Sequence, residues 1–243
     1  VGMRYGNPSV EEALVKMRDL GVEELMLAPL FPHHAQATTE SSLKHAYKQL
    51  EKIKWYPNIS ELGHFPVDSG FIEPLANSIK PHLSDDFHLL FSYHGLPISH
   101  VKRADTSGEH CQKVQKCCSI SNDANAKCYS HHCTMTTMAV VDYLGLEKSQ
   151  WSISYQSRLG PVKWLEPSTM NTVERLAAEG KKKLAIVSPA FLADGLETLE
   201  ELDIEIRNHF IKSGGEELIV VKCLNDDPKW IKGLGGIVSK SFE

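Results

Sequence analysis

The feature that most constrains this chain is an alternation of short apolar runs with stretches of helical spacing. Ser9-Val10-Glu11-Glu12 is a capping box after Pro8, and Val10, Ala13, Leu14 and Met17 keep helical spacing until Gly21 ends the run. An apolar strand over Leu25 to Leu30 is bounded by Pro29 and Pro32; a helix over Ser41–Lys54, an irregular stretch to Gly70 and a helix over Phe71–Ile79 follow. Phe87-His88-Leu89-Leu90-Phe91 reads as a buried strand. Beyond it come a helix at Thr134–Leu144, a strand at Trp151–Tyr155, a helix at Thr172–Glu179 and a strand at Lys183–Ser188. A long helix from Leu196 to Lys212, a strand over Leu218–Leu224 and a last short helix complete the chain. Strands separated by helices imply parallel βαβ units and sheets covered on both faces. The expected fold is α/β, with two similar domains and a cleft between them. The boundaries expected are 1–85, 86–224 with an insertion over 99–133, and a terminal helix in 225–243 that returns to the first domain.

Charge and composition exclude some roles. A net charge of -5 and a pI near 6.2 argue against general nucleic-acid binding, and no basic stripe is present. No apolar run approaches the ~20 residues of a membrane helix. The opening Val1-Gly2-Met3-Arg4-Tyr5 resembles neither a signal peptide nor a natural start; it reads as mid-strand, so a preceding segment is expected. Five of the six cysteines fall within residues 111–133. In a larger chain that reads as cytoplasmic, such clustering points to metal rather than to a disulfide framework.

His94 is the first candidate for chemistry. It follows a buried strand and opens the turn His94-Gly95-Leu96-Pro97, at the sheet edge where open α/β folds hold ligands. A histidine there can accept a proton near neutral pH or bind a metal. Glu197, Glu201 and Glu205 recur every four residues, which sets three carboxylates along one helical face. That helix also opens after a strand, so Glu197 and His94 can face each other across one crevice; a solvated acidic face is the plainer reading. The loop Gln156-Ser157-Arg158-Leu159-Gly160, followed by Trp164-Leu165, offers a guanidinium for a carboxylate and an indole for a flat ligand, or merely a packing anchor. Adjacent His33 and His34, with Thr38-Thr39 following, could bind a cation or serve only structure.

Together, Ser-Tyr-His-Gly-Leu-Pro at 92–97, Gln-Ser-Arg-x-Gly-x-x-x-Trp-Leu-x-Pro at 156–167 and Leu-Glu-Thr-Leu-Glu-Glu at 196–201 closely resemble the ferrochelatases, which insert ferrous iron into a porphyrin. Gly-Met-Arg-Tyr-Gly-Asn-Pro at 2–8, the Pro-Leu-Phe-Pro segment at 29–32 and Ser188-Pro189-Ala190-Phe191 match as well. The resemblance implies two Rossmann-like, chelatase-type domains with the porphyrin clamped between them. It implies His94 and Glu197 as the catalytic, metal-handling pair, and Glu201 and Glu205 as an acidic face beside them. Arg4, Phe31, Ser157, Arg158, Trp164 and Leu165 become candidates for the porphyrin pocket. Insertion removes two pyrrole protons and strips water from Fe2+; an imidazole can take a proton or bind iron, and carboxylates offer hard oxygen ligands. Protoporphyrin is the expected substrate. Coproporphyrin, another metal and tetrapyrrole, or a non-catalytic metal or iron–sulfur sensor are the alternatives. Greasy substrate and product make loose membrane association compatible with a cytoplasmic enzyme.

Three departures stand out. Members of the family carry about 80–100 residues before the Arg-Tyr motif, a length approaching that of an ordinary small domain. Phe31-Pro32-His33-His34 stands where Tyr-Pro-Gln-Tyr is usual, and Gly195 stands where others carry His or Cys. The segment Cys111-x5-Cys117-Cys118-x9-Cys128-x4-Cys133 resembles the internal cysteine segment of bacterial ferrochelatases that bind a [2Fe–2S] cluster. The resemblance implies Cys111, Cys118, Cys128 and Cys133 as ligands, with Cys117 the alternate, in a structural or redox-sensing role. Zinc bound with His131 or His132, disulfides and free thiols are the other readings.

Overall fold

The computed structural model describes residues 1–84 and 86–242; Asp85, at the expected domain boundary, and Glu243 lie outside the described residues. Helix α1 (Val10–Asp19) starts as its capping box dictates: the Ser9 N–H donates to Glu12 Oε2 at 2.7 Å and the Glu12 N–H to Ser9 Oγ at 3.1 Å. Its Leu14 packs with Leu25 and Leu27 of β1 (Glu24–Leu27) and with Ala46 and Leu50 of α2 (Ser41–Lys52). Strand β1 ends before Pro29, which has no N–H for a ladder. It pairs in parallel with β2 (Asn58–Glu61), inside the stretch expected to be irregular. With Ile59 its one apolar residue, β2 carries no alternation to mark it; pairing with β1 makes it a strand.

A second, four-stranded sheet holds the candidate site. Strand β3 (Phe87–His94) lies between β4 (Trp151–Gln156) and β5 (Lys183–Val187), with β6 (Glu217–Val220) beyond β5, and all pairs are parallel. Residues from His88 to Tyr93 are buried because helices cover both faces. On one face, Leu89, Phe91 and Tyr93 join a core shared with α3 (Ser69–Ile79), α5 (Tyr129–Leu144) and α8 (Pro228–Lys240). On the other, Leu90 packs with Leu184, Ile186 and Leu218 against α6 (Thr169–Ala178) and against Leu202, Ile206 and Phe210. Each such fully buried side chain contributes roughly 1.5–3 kcal/mol. A one-residue slip of β3 would turn both sets to the wrong face, so burial fixes the register that presents His94.

The carboxy-terminal helix α8 packs on α3, which precedes residue 85. Trp230 meets the Phe71 ring with centroids 6.0 Å apart, and Lys240 Nζ lies 3.1 Å from Asp68 Oδ2. A Cβ built on Gly233 would fall 2.0 Å from the Gly70 carbonyl oxygen, so the helices cross where only glycine fits.

The cysteine-rich segment opens with a short helix, α4 (Ile98–Arg103), and is then held by polar side chains. The Asp105 carboxylate accepts the N–H groups of Ser107 (3.0 Å), His110 (2.9 Å) and Cys111 (2.7 Å). Hydrogen bonds from the Ser107 hydroxyl and these amides hold its pKa well below the usual carboxylate range. Asn125 donates to the carbonyls of Cys117 (3.0 Å) and Ile120 (2.8 Å). Helix α5 begins at Tyr129, five residues before the expected start, with Cys128 as its N-cap.

Candidate active site

His94 ends β3, half-buried, in register with Gln156 of β4. Its Nδ1 lies 2.6 Å from the Gly95 carbonyl oxygen. A carbonyl only accepts, so Nδ1 carries a proton and Nε2 is the ring nitrogen left for a proton or a ligand. The Tyr129 hydroxyl donates to the His94 carbonyl at 2.9 Å, and the Phe191 ring lies 6.1 Å from the imidazole. Gly95 is required by close approach: its N–H donates to the Gln156 carbonyl at 2.7 Å, and a Cβ there would sit 2.7 Å from that oxygen.

The acidic helix departs from expectation. Glu197–Ile206 forms a ten-residue π-helix that becomes α-helical only in α7 (Arg207–Lys212). π-Helix is rare, is mostly confined to single-turn bulges, and is frequent at functional sites. Bonds from outside the helix fasten its first turns. Gln156 Nε2 donates to the Glu197 carbonyl at 3.2 Å, and Ser157 gives both its N–H (2.7 Å) and its Oγ–H (2.5 Å) to the Glu201 carboxylate. Thr198 Oγ1 lies 3.3 Å from Asp194 Oδ1, and the Cys223 N–H and Asn225 side chain also reach that carboxylate. Burial opposes the charge on Asp194, but hydrogen bonds from Asn225, Cys223 and Thr198 outweigh it and hold the pKa below its ordinary value. In the wider π turn a spacing of four falls just short of one turn. Glu197, Glu201 and Glu205 therefore still share one side, with Glu197 and Glu201 half-buried and Glu205 exposed.

Of the residues singled out in the sequence, the fold joins His94, Ser157, Glu197 and Glu201 through Gln156. Trp164 and Leu165 fold over the same edge: Leu165 N–H donates to the Leu96 carbonyl at 3.0 Å, and Trp164 packs beside Gly95. The Trp164 indole N–H is buried without a partner among the described residues. Arg158 bonds the Leu165 carbonyl at 3.1 Å and pairs with Glu166 at 2.6 Å, so a ligand carboxylate would compete with Glu166 for it. Arg4 is tied elsewhere, its guanidinium 2.6 Å from Ser41 Oγ, and Phe31 is half-buried in the loop after β1. Gln156 and Asp194 were missed by sequence reasoning. The signal for Gln156 was its place as a polar residue closing an apolar strand directly before Ser157.

His33 and His34 pack between this edge and the cysteine-rich segment: the His33 ring lies 5.4 Å from that of Tyr93, the residue before His94, and 5.9 Å from that of Tyr129. The His34 N–H donates to His132 Nδ1 at 3.1 Å, and His132 Nε2 meets the Ala126 carbonyl at 2.9 Å, which fixes His132 as neutral. His33 Nε2 meets Thr136 Oγ1 at 2.9 Å. Burial, with lesser repulsion from neighbouring histidines, lowers the pKa of His33 and of His132 to about 3.

The cysteines divide into two environments. Cys117 Sγ and Cys118 Sγ are 3.9 Å apart, the Gln112 N–H donates to Cys117 Sγ, and Cys118 Sγ lies 3.3 Å from Ser130 Oγ. Burial and the neighbouring Cys117 and Cys118 thiols push the Cys111 thiol up to about 11. The neighbouring Cys118 thiol lowers the pKa of Cys128. Cys133 is wholly buried in the core that contains Tyr93, Tyr129 and Tyr155, and burial raises its pKa far above the ordinary thiol value. All are free thiols, and among the described residues no cluster of three or more His, Cys, Asp or Glu is disposed around a single-ion position.

Comparison with known proteins points one way. The ferrochelatase family model matches residues 1–242. The chain is 40% identical over 243 residues to a ferrochelatase of Pseudomonas fluorescens, covering 99% of this chain and 71% of that protein. It is 42% identical over 236 residues to that of Ectopseudomonas mendocina (96% and 69%) and 39% identical over 240 residues to that of Bdellovibrio bacteriovorus (98% and 70%). Among solved structures, SirB from Bacillus subtilis with Fe3+ superposes with a TM-score of 0.61 at 12% identity, covering 97% of this chain and 78% of that one. DR2241 from Deinococcus radiodurans, described as a multi-domain protein with structural similarity to chelatases, gives a TM-score of 0.52 at 12% identity, covering 98% of this chain and 45% of that one. These likenesses show the fold, parallel α/β of chelatase type. The matches in sequence show more: this chain belongs to the ferrochelatase family.

Proposed function

We propose that the protein inserts Fe2+ into protoporphyrin IX at the edge between His94 and Glu197, forming protohaem with release of two protons. The observation that carries this reading is the free Nε2 of His94, held next to a glutamine that bonds the first residue of the acidic π-helix. In this reading Nε2 accepts a pyrrole proton or takes iron as it leaves water, and Glu197 offers a carboxylate to metal or proton from the facing element. Glu201, already bonded twice by Ser157, orders the helix and passes protons outward toward exposed Glu205. Trp164 and Leu165 wall the ring, with the unpartnered indole N–H available to a polar substituent. Arg158 exchanges Glu166 for a propionate. Arg4, once released from Ser41, and Phe31 would meet the outer part of the porphyrin. No helix among the described residues is long and apolar enough to cross a membrane. Peripheral contact is supported by exposed Leu159 and Leu196 flanking this edge.

We propose as well that the cysteine segment holds a [2Fe–2S] cluster, which when bound would supply four iron–thiolate bonds that brace a polar insertion. The ligands proposed are Cys111, Cys118, Cys128 and Cys133, with Cys117, whose Sγ lies 3.9 Å from that of Cys118, as the alternate. Visible absorption and iron and sulfide content check this. Cys118→Ser and Cys133→Ala should each bleach the protein; bleaching by Cys117→Ala with colour kept in Cys133→Ala moves the fourth ligand to the alternate, and stoichiometric zinc in colourless protein overturns the cluster. For the activity, Fe2+ insertion is measured with protoporphyrin and coproporphyrin side by side. Faster turnover of protoporphyrin supports the reading, and preference for coproporphyrin moves the substrate. Absence of insertion into either, with metal still bound at the cysteines, turns the reading to a sensor.

A further inference from the structure

We propose that Gln156 is the positioning residue that sets the spacing between His94 and Glu197. This rests on the reading of those two residues as the reacting pair. Gln156 is 2% exposed, and each of its polar groups is engaged. Its Oε1 accepts from Ser92 Oγ at 2.6 Å and from Ser188 Oγ at 3.2 Å, which ties it to the ends of β3 and β5. Its Nε2 donates to the Glu197 carbonyl at 3.2 Å, and its own carbonyl accepts the Gly95 N–H at 2.7 Å. One residue thus grips both the turn that follows His94 and the first residue of the π-helix.

The chemistry selects glutamine. The position needs one atom that accepts two hydroxyls and another, on the same rigid plane, that donates to a carbonyl. Glutamate lacks the donor, leucine and methionine lack both, and asparagine is one methylene too short. Ser157 extends the grip. Its left-handed backbone, φ 61°, swings its N–H and Oγ–H onto Glu201, one turn beyond Glu197. The Glu197 carbonyl has a second lone pair for Gln156 even when it takes part in the helix. Gln156 is therefore a fixed strut between strand edge and helix. Loss of its donor leaves His94 in place and lets the first π turn drift.

The test uses the full chain with Fe2+ and protoporphyrin. Gln156→Met removes both functions at similar length, and Gln156→Glu keeps an acceptor for both serines while losing the donor. Each should lower kcat about 10- to 100-fold, the scale of a misplacement near 1 Å, with porphyrin KM within about threefold. Thr169→Val is the control: Thr169 bonds Ser92 and Ser154 one layer behind, so its loss perturbs the same buried polar cluster without touching Gln156. Its kcat should stay within about threefold at a comparable melting temperature loss. Because Gln156 acts through Glu197, adding Gln156→Met to Glu197→Gln should cost no more than about twofold beyond Glu197→Gln alone. Wild-type kcat in both Gln156 variants, or losses that multiply in the double variant, overturns the inference. Wild-type turnover in Glu197→Gln would instead overturn the site reading beneath it.

Discussion

Acid should loosen this protein in a pH window set by three buried histidines. His33 and His132 have pKa values lowered to about 3, and His88, buried beside Ser152, to about 4; burial is the leading cause for each. All three carry an ordinary value of 6.5 when unfolded. Below pH 6.5 the unfolded chain therefore binds protons that the folded chain refuses, so stability present above pH 6.5 is lost as the pH falls toward 4 and then 3. At pH 5.5 each group costs about 1.4 kcal/mol, roughly 4 kcal/mol for the three, against about 0.1 kcal/mol each at pH 7.5. That is a large part of the 5–15 kcal/mol typical of a folded domain, and at about 2–4 °C per kcal/mol it corresponds to a fall in Tm of roughly 8–16 °C. The carboxylates with lowered pKa, Asp105 and Asp194 among them, lose their contribution only at more acid pH, in a separate window. Thermal melts at pH 7.5 and 5.5 measure the effect. His132→Asn retains an acceptor for the His34 N–H, should lose about 1 kcal/mol at pH 7.5 for the missing bond to Ala126, and should flatten the pH dependence by about a third. A wild-type Tm that moves less than about 2 °C between the two pH values, or an unchanged slope in the variant, would refute the reasoning.

Gly95→Ala puts a methyl group 2.7 Å from the Gln156 carbonyl, so it should destabilise by about 1–3 kcal/mol and reduce turnover together, seen in denaturant titration and initial rates. Asp105→Asn removes the charged acceptor for three backbone amides of the cysteine segment; limited proteolysis within 104–122 should accelerate while hydrogen exchange in β3 and β5 stays slow. Ser157→Ala removes one of the two bonds to Glu201 and should reduce kcat several-fold with porphyrin affinity retained, read by steady-state rates and fluorescence quenching.

Much of the larger sheet was legible in the chain because long-range packing and local pattern agree there. Phe87–Phe91 is apolar apart from His88 since helices cover both faces, and Gly95 and Pro97 punctuate its end. The alternation that implied parallel sheets is found in both, and the motifs pointed to a family that sequence matches show. What escaped reading depended on partners distant in sequence. Strand β2 has one apolar residue and exists through β1. The helix after Gly195 has ordinary helical spacing, and its π geometry goes with bonds from Gln156 and Ser157 some forty residues earlier. Gln156 itself looked like a neighbour of Ser157 and Arg158, and only burial against Ser92 and Ser188 reveals its connections. Within the cysteine segment, the fold sets Cys133 in the core with Tyr93, Tyr129 and Tyr155 and Cys117 beside Cys118, surroundings that distance along the chain does not show.

The central claim is that the bare Nε2 of His94 handles a proton or iron during metal insertion. The measurement that tests it most directly is the rate of Fe2+ insertion into protoporphyrin by His94→Ala, taken together with porphyrin binding. Removal of a general base costs about 10²- to 10⁴-fold, so turnover should fall by at least that lower figure while porphyrin affinity stays within about threefold. Turnover near the wild-type rate with intact binding would contradict the account.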